Sequence, residues 1–175
     1  ALAPNAFLRL LPDGAVTVIV GRVEMGQGAT TGLAMALAEE LDCDWNRVSV
    51  EQAHPDKAFR NPLFWNLQVT GISTSVRQGW RPMREAGAAA RAMLVGAAAK
   101  RWNVPADAIR VSAGVVSHAS GKKATFGELA DAASAMPVPA SVTLKDPKDF
   151  VYVGKHVPRT DSAAKSNGTA LFTQD

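Results

Sequence analysis

The sequence predicts an α+β domain: a small sheet with helices packed on one side, including one long Ala-rich helix. Three observations lead there. Strand-like runs pair around turns at Pro12-Asp13-Gly14 and Ala113-Gly114. Two later stretches repeat apolar residues at helical spacing. The resulting order, ββαβ, long α, ββ, short α, mixes both element types along the whole chain.

The first hairpin joins Ala6–Leu11 to Ala15–Val20, with Pro at the second turn position and Gly where a positive φ is tolerated. Ala1–Pro4 carries neither the charged segment nor the long apolar stretch of a signal peptide, and is compatible with the stub left by processing. A helix follows from about Thr30 to Leu41, with Leu33, Leu37 and Leu41 on one face and Glu39-Glu40 expected on the solvated one. Val48–Val50 reads as a third strand. Residues 53–69, with Pro55, Pro62 and the aromatics Phe59, Phe64 and Trp65, read as a long irregular loop of the kind that covers a site.

The long helix is expected from Ser73 to Trp102, with Pro82 kinking or breaking it and Ala86–Ala99 packing tightly. Ile109–Val111 and Val115–Ser117 form the second hairpin. Thr125 and Glu128 have the spacing of a capping box that opens a short helix to about Ala135. Pro137, Pro139 and Pro147 mark residues 137–150 as a linker. Residues 151–175 read as the truncated start of a following module, with strand-like runs at Phe150–Val153 and Ala170–Phe172.

With 175 residues, 47% apolar and 20% charged, the chain has the composition of a folded domain. The net charge of +3, with no arginine-rich stripe, argues against a nucleic-acid partner. A lone Cys43 offers neither an internal disulfide nor an iron–sulfur cluster, and its neighbours Asp42 and Asp44 discourage a thiolate. His54, His118 and His156 stand far apart, which disfavours a metal site. Glu39, Glu40, Asp42 and Asp44 read as a solvated helix end.

Two short polar turns, each running into a helix, carry the chemistry: Glu24-Met25-Gly26-Gln27-Gly28 and Thr70-Gly71-Ile72-Ser73-Thr74-Ser75-Val76-Arg77. A helix start leaves backbone N–H groups unpaired and holds a positive partial charge, so it receives phosphate readily. Gly26 and Gly28 permit close approach of backbone to ligand, and the Gln27 amide both donates and accepts. Ser73, Thr74 and Ser75 supply three hydroxyls where capping needs one; an N-cap and an anion site both remain open. Neither turn has the lysine of a P-loop or the third glycine of a dinucleotide fingerprint.

Together, in this order, the turns resemble the molybdenum hydroxylase (xanthine dehydrogenase/aldehyde oxidase) family. Within it the chain is similar to the large molybdopterin-binding subunit of the isoquinoline 1-oxidoreductase and bacterial aldehyde dehydrogenase type. Further residues that carry the resemblance are Pro4–Leu10, Ala38–Asp42, Asn61-Pro62-Leu63, Gln68–Arg77 and Gly154–Gly168. The resemblance implies a molybdopterin cofactor with molybdenum, usually in the cytosine dinucleotide form. It further implies oxidation of an N-heteroaromatic or aldehyde substrate with oxygen taken from water.

By position, Gly26, Gln27 and Gly28 would contact that cofactor, Ser73 and Ser75 its phosphates, with Thr74 between them also counted among the cofactor-binding residues, and Gly71 and Ile72 would lie near the metal-facing floor of the pocket. The partners implied are the remainder of the large subunit, a separate [2Fe–2S] subunit, and cytochrome c as a candidate acceptor. A periplasmic or membrane-associated setting is implied too. Residues 1–136 become the molybdopterin-binding module of an N-terminal fragment that is not catalytic alone.

Two departures stand out. Relatives usually carry Gly-Gly where this chain has Gly71-Ile72, and a branched residue there narrows the pocket and resists positive φ. No segment matches the family's base glutamate. An alternative reading follows from Ile72: a binding or assembly module that kept the fold and lost the cofactor.

Overall fold

The computed structural model describes residues 1–172 of the chain. Four strands form the first sheet in the order β1 (Leu2–Asn5), β2 (Leu8–Leu10), β3 (Val16–Val20) and β4 (Val48–Gln52). β1, β2 and β3 pair antiparallel; β4 joins β3 in parallel, with Val16 opposite Val48 and Val20 opposite Gln52. The helix α1 (Ala29–Leu41) makes the connection that a parallel pair requires. At the amino terminus, β1 is an edge strand of this sheet. Leu2 is buried because β1 lays it into the core, opposite Leu10.

Period-two alternation sends Leu8, Leu10, Val16, Val18 and Val20 to the buried face, where they meet Leu33, Leu37 and Leu41 of α1. Against α1 lies α2 (Ser75–Trp102), which continues through Pro82 as one helix. A side chain at Gly87 would place its Cβ 2.3 Å from the Leu37 carbonyl oxygen, so glycine is what lets the two helices touch here.

The second sheet is a three-stranded antiparallel meander: β5 (Ile109–Ser112), β6 (Val115–His118) and β7 (Lys123–Thr125). It feeds α3 (Phe126–Ser134), which opens on the expected capping box: Thr125 accepts from the Glu128 N–H, and the Glu128 carboxylate accepts from the Thr125 N–H at 2.7 Å. The α+β class therefore holds, with two small sheets in place of one.

The carboxylates at the end of α1 overturn an expectation. Glu39 and Glu40 are 0% and 2% exposed. Glu39 accepts from the backbone N–H groups of Val151, Tyr152 and Val153 at 2.7–3.0 Å and from Lys145 Nζ at 3.1 Å. Glu40 binds Arg84 at 2.6 Å and the Lys145 N–H at 3.1 Å. The Arg84 guanidinium lies over the rings of Trp80 and Phe150, and Lys145 also reaches Asp42. Residues 145–153 thus form a strap pinned to α1 by buried charge.

The strap also explains why Phe150–Val153 is not the expected strand. Its N–H groups converge on one carboxylate instead of meeting a neighbouring strand. Burial alone would raise the Glu39 pKa; the N–H groups of Val151, Val153 and Tyr152, with Lys145, outweigh that and hold it below its usual value. Beyond the strap, α4 (Ser162–Asn167) was not foreseen. Ala170–Phe172 is not a strand, since the Ala170 N–H closes the end of α4 on the Ala164 carbonyl.

Candidate functional site

The first polar turn follows β3, and Glu24 organises it. Its carboxylate accepts from the N–H groups of Gly26 at 2.9 Å, Gly28 at 2.8 Å and Thr30 at 3.1 Å, and from the Thr30 hydroxyl at 2.8 Å. Burial pushes its pKa up, but these bonds push harder, and the group stays below its usual value. Gly26 and Gly28 take positive φ values of 97° and 76°, which lets the chain curl around that carboxylate. Much of the donor capacity expected at this helix start is therefore spent inside the turn.

Gln27 is folded back as well. Its amide accepts from the Met25 N–H and donates to the Val23 carbonyl at 2.9 Å, while the residue stays exposed. Arg159 donates to the Gly26 carbonyl at 3.2 Å and sits 3.5 Å from Glu24, and Thr160 bonds Thr31. Sequence reasoning gave Glu24 no role. The signal was a carboxylate placed before two glycines and a threonine at a helix start.

The second turn is arched. Ile72 and Ser73 adopt consecutive left-handed conformations, φ 44° and 53°, and the arch is closed by the Thr74 N–H on the Gly71 carbonyl at 3.2 Å. A β-branched residue in this region is strained. Ile72 takes the conformation all the same, with 68% of its surface exposed. The helix begins at Ser75, two residues later than expected, because Ser73 belongs to the arch.

The buried Thr74 hydroxyl does not cap the helix. It donates to the Gly71 carbonyl at 2.9 Å and accepts from the Asn61 side-chain amide at 2.6 Å. Asn61, itself fully buried, ties the irregular 53–69 loop to the arch. Among the described residues, the hydroxyls of Ser73 and Ser75 and the N–H groups of Ser75, Val76 and Arg77 have no hydrogen-bond partner. This is the open helix mouth of the site.

The two turns meet. A cavity of about 400 Å³ is lined by Met25, Gln27 and Ala29 from the first turn, and by Thr70, Gly71, Ile72, Ser73, Ser75 and Val76 from the second. Gly26, Gly28 and Thr74 do not line it; the glycines bend the first turn through positive φ, and Thr74 braces the second through Gly71 and Asn61. Val23 is joined to the second turn through the Thr70 hydroxyl at 2.8 Å. Cys43 lies elsewhere; burial pushes its thiol up to about 12, so it is inert at neutral pH. No cluster of three or more His, Cys, Asp or Glu side chains among the described residues could hold a metal ion.

Residues 2–172 match a family model described as the molybdopterin cofactor-binding domain. The chain is 38% identical to the isoquinoline 1-oxidoreductase subunit beta of Brevundimonas diminuta, over 100% of its own length and 27% of that protein. It is 33% identical to the membrane-bound aldehyde dehydrogenase [pyrroloquinoline-quinone] of Gluconacetobacter polyoxogenes, over 100% of its length and 22% of that protein. Among solved structures, quinoline 2-oxidoreductase from Pseudomonas putida 86 aligns with a TM-score of 0.53 at 22% identity, covering 82% of this chain and 19% of that one. The chain thus spans about a quarter of the length of the curated relatives named here.

Proposed function

Because the chain belongs to the molybdopterin cofactor-binding domain family, we propose that it holds the phosphate-bearing end of molybdopterin in the cavity between its two polar turns. The enzyme served is then a molybdenum-dependent oxidoreductase acting on N-heteroaromatic or aldehyde substrates. One observation carries the reading: the uncapped start of a 28-residue helix opens beside a cavity whose opposite wall is a glycine turn from another part of the chain.

The residues present fit the group. Two unpaired serine hydroxyls and unpaired helix N–H groups offer donors to a phosphate, and the helix start adds positive partial charge. Met25, Ile72 and Val76 give the flat part of a ligand an apolar surface. When bound, molybdopterin supplies the molybdenum centre at which the substrate is oxidised.

This chain's own residues bind and orient. Ser73 and Ser75 hold anionic oxygens, Gln27 exchanges its internal bonds for polar edges of the ligand, and Gly71 with Ile72 shapes the floor. The cytosine dinucleotide form, oxygen from water, a separate [2Fe–2S] subunit, cytochrome c as acceptor and a periplasmic or membrane-associated setting belong to the same proposal. No helix among the described residues is long and apolar enough to cross a membrane.

The test is metal and pterin content of the complete natural protein, wild type against Ser73→Ala and Gln27→Ala. Because Ser73 has no internal partner, its loss should lower molybdenum occupancy without lowering thermal stability. Full occupancy in both variants, or pyrroloquinoline quinone in place of a pterin, would overturn the reading.

A further inference from the structure

A second, smaller pocket lies behind the open helix mouth and shares Ser75 with the larger cavity. It encloses about 50 Å³ between the end of β3 and the first turns of α2, with Phe7, Leu33, Phe59 and Met83 as apolar walls. Its polar lining comes from Arg22, Arg60, Ser75 and Gln78.

Arg22 is only 4% exposed, yet it has no carboxylate partner among the described residues. Its guanidinium donates to the carbonyls of Gly21 at 2.9 Å and Phe59 at 2.6 Å and to Gln78 Oε1 at 2.5 Å, all of them neutral, and its Nε has no partner among the described residues. A buried cation normally finds a counter-charge, because neutral acceptors recover only part of the lost hydration. Arg60 also has no carboxylate within ion-pair distance among the described residues. Gln78 spends its carbonyl on Arg22, which leaves its NH₂ as a donor. The start of α2 adds further positive potential.

We infer that this pocket binds a small monovalent anion of about the size of chloride, held by Arg22 and Arg60 with the Gln78 NH₂ donor, while Ser75 keeps its hydroxyl for the larger cavity. No carboxylate lines the pocket, whose two charged residues are both arginines, and the space is far smaller than the neighbouring cavity. The anion supplies the counter-charge that the described residues do not, and fixes the α2 start from behind. Burial already lowers the Arg22 pKa, as expected of a cation lacking a carboxylate partner.

The complete protein is titrated with sodium chloride against sodium gluconate at constant ionic strength, following ³⁵Cl line width and the thermal midpoint. Saturable broadening, with a midpoint that rises in chloride and not in gluconate, is the expected result. Arg22→Gln and Arg60→Gln should each weaken chloride binding by about tenfold, the loss of one charge-assisted hydrogen bond. Arg60 is exposed, so its variant decides the matter if Arg22→Gln does not fold. Equal midpoints in the two salts, or broadening that survives Arg60→Gln unchanged, would overturn the inference. Gln27→Ala should keep the chloride signal whatever happens to its molybdenum content, which separates this pocket from the larger cavity.

Discussion

The Glu24 carboxylate grips both the N–H and the hydroxyl of Thr30, six positions downstream, at 3.1 and 2.8 Å. One side chain thereby sets the shape of the first turn and ties it to the first residues of α1. Glu24→Ala should release the N–H groups of Gly26, Gly28 and Thr30 together. The expected cost is about 2 kcal/mol, as for hydrogen bonds to a charged acceptor, with a parallel fall in molybdenum content. Denaturant unfolding and metal analysis on the same preparation check both.

Glu39→Gln should cost about 3 kcal/mol, because an amide turns NH₂ toward N–H groups that need an acceptor and leaves Lys145 without one of its carboxylates. Limited proteolysis should then cut within 145–153, where the strap has come loose. A variant with wild-type stability and an intact strap would contradict the account.

Stability should fall on the acid side for a stated reason. Glu24 and Glu39 both have folded pKa values below their ordinary 4.5. Their contribution is complete above that value and is lost as the pH drops through the folded values. Thermal midpoints measured downward from pH 6 should decline below about pH 4.5, the ordinary glutamate value. The decline should be shallower in Glu39→Gln, which has one such group fewer.

Gly87→Ala should destabilise by about 1–3 kcal/mol through overpacking, since the new methyl group meets the backbone carbonyl of Leu37 and not a movable side-chain tip. Calorimetry would register this as a lower midpoint with little change in helix content.

Ile72→Gly should act in the opposite sense. It relieves a branched residue at φ 44° and opens the cavity floor, for a net gain of about 1 kcal/mol after the added freedom of the unfolded chain is subtracted. A lowered midpoint would show that the exposed side chain contributes more than its strain costs.

What could be read from the sequence was what short-range chemistry decides. The Pro12-Asp13-Gly14 hairpin, the Leu33/Leu37/Leu41 stripe and the Thr125/Glu128 box are each specified within a few residues, and each appears where expected. The pair of polar turns was legible for the same reason, and they line one cavity. Glu39 and Glu40 were misplaced on the solvent face because their partners lie far off in sequence, Arg84 by 44 positions and Lys145 and Val151–Val153 by more than 100. A pattern of charge beside leucine cannot reveal that. Phe150–Val153 failed for the complementary reason: its run of aromatic and β-branched residues is that of a strand, but a carboxylate claims its amides. Ser73 looked like a helix residue because hydroxyls favour helix starts, whereas the arch at Gly71 holds it in a left-handed bend.

The bonds from Arg159 to Gly26 and from Thr160 to Thr31 span 133 and 129 positions. During synthesis the first turn leaves the ribosome long before the residues that fasten it, so it waits through the making of about 130 further residues without its outer clasp. The clasp closes only once Arg159 and Thr160 have emerged, and a chain arrested before Arg159 would display both turns, the first of them unclasped.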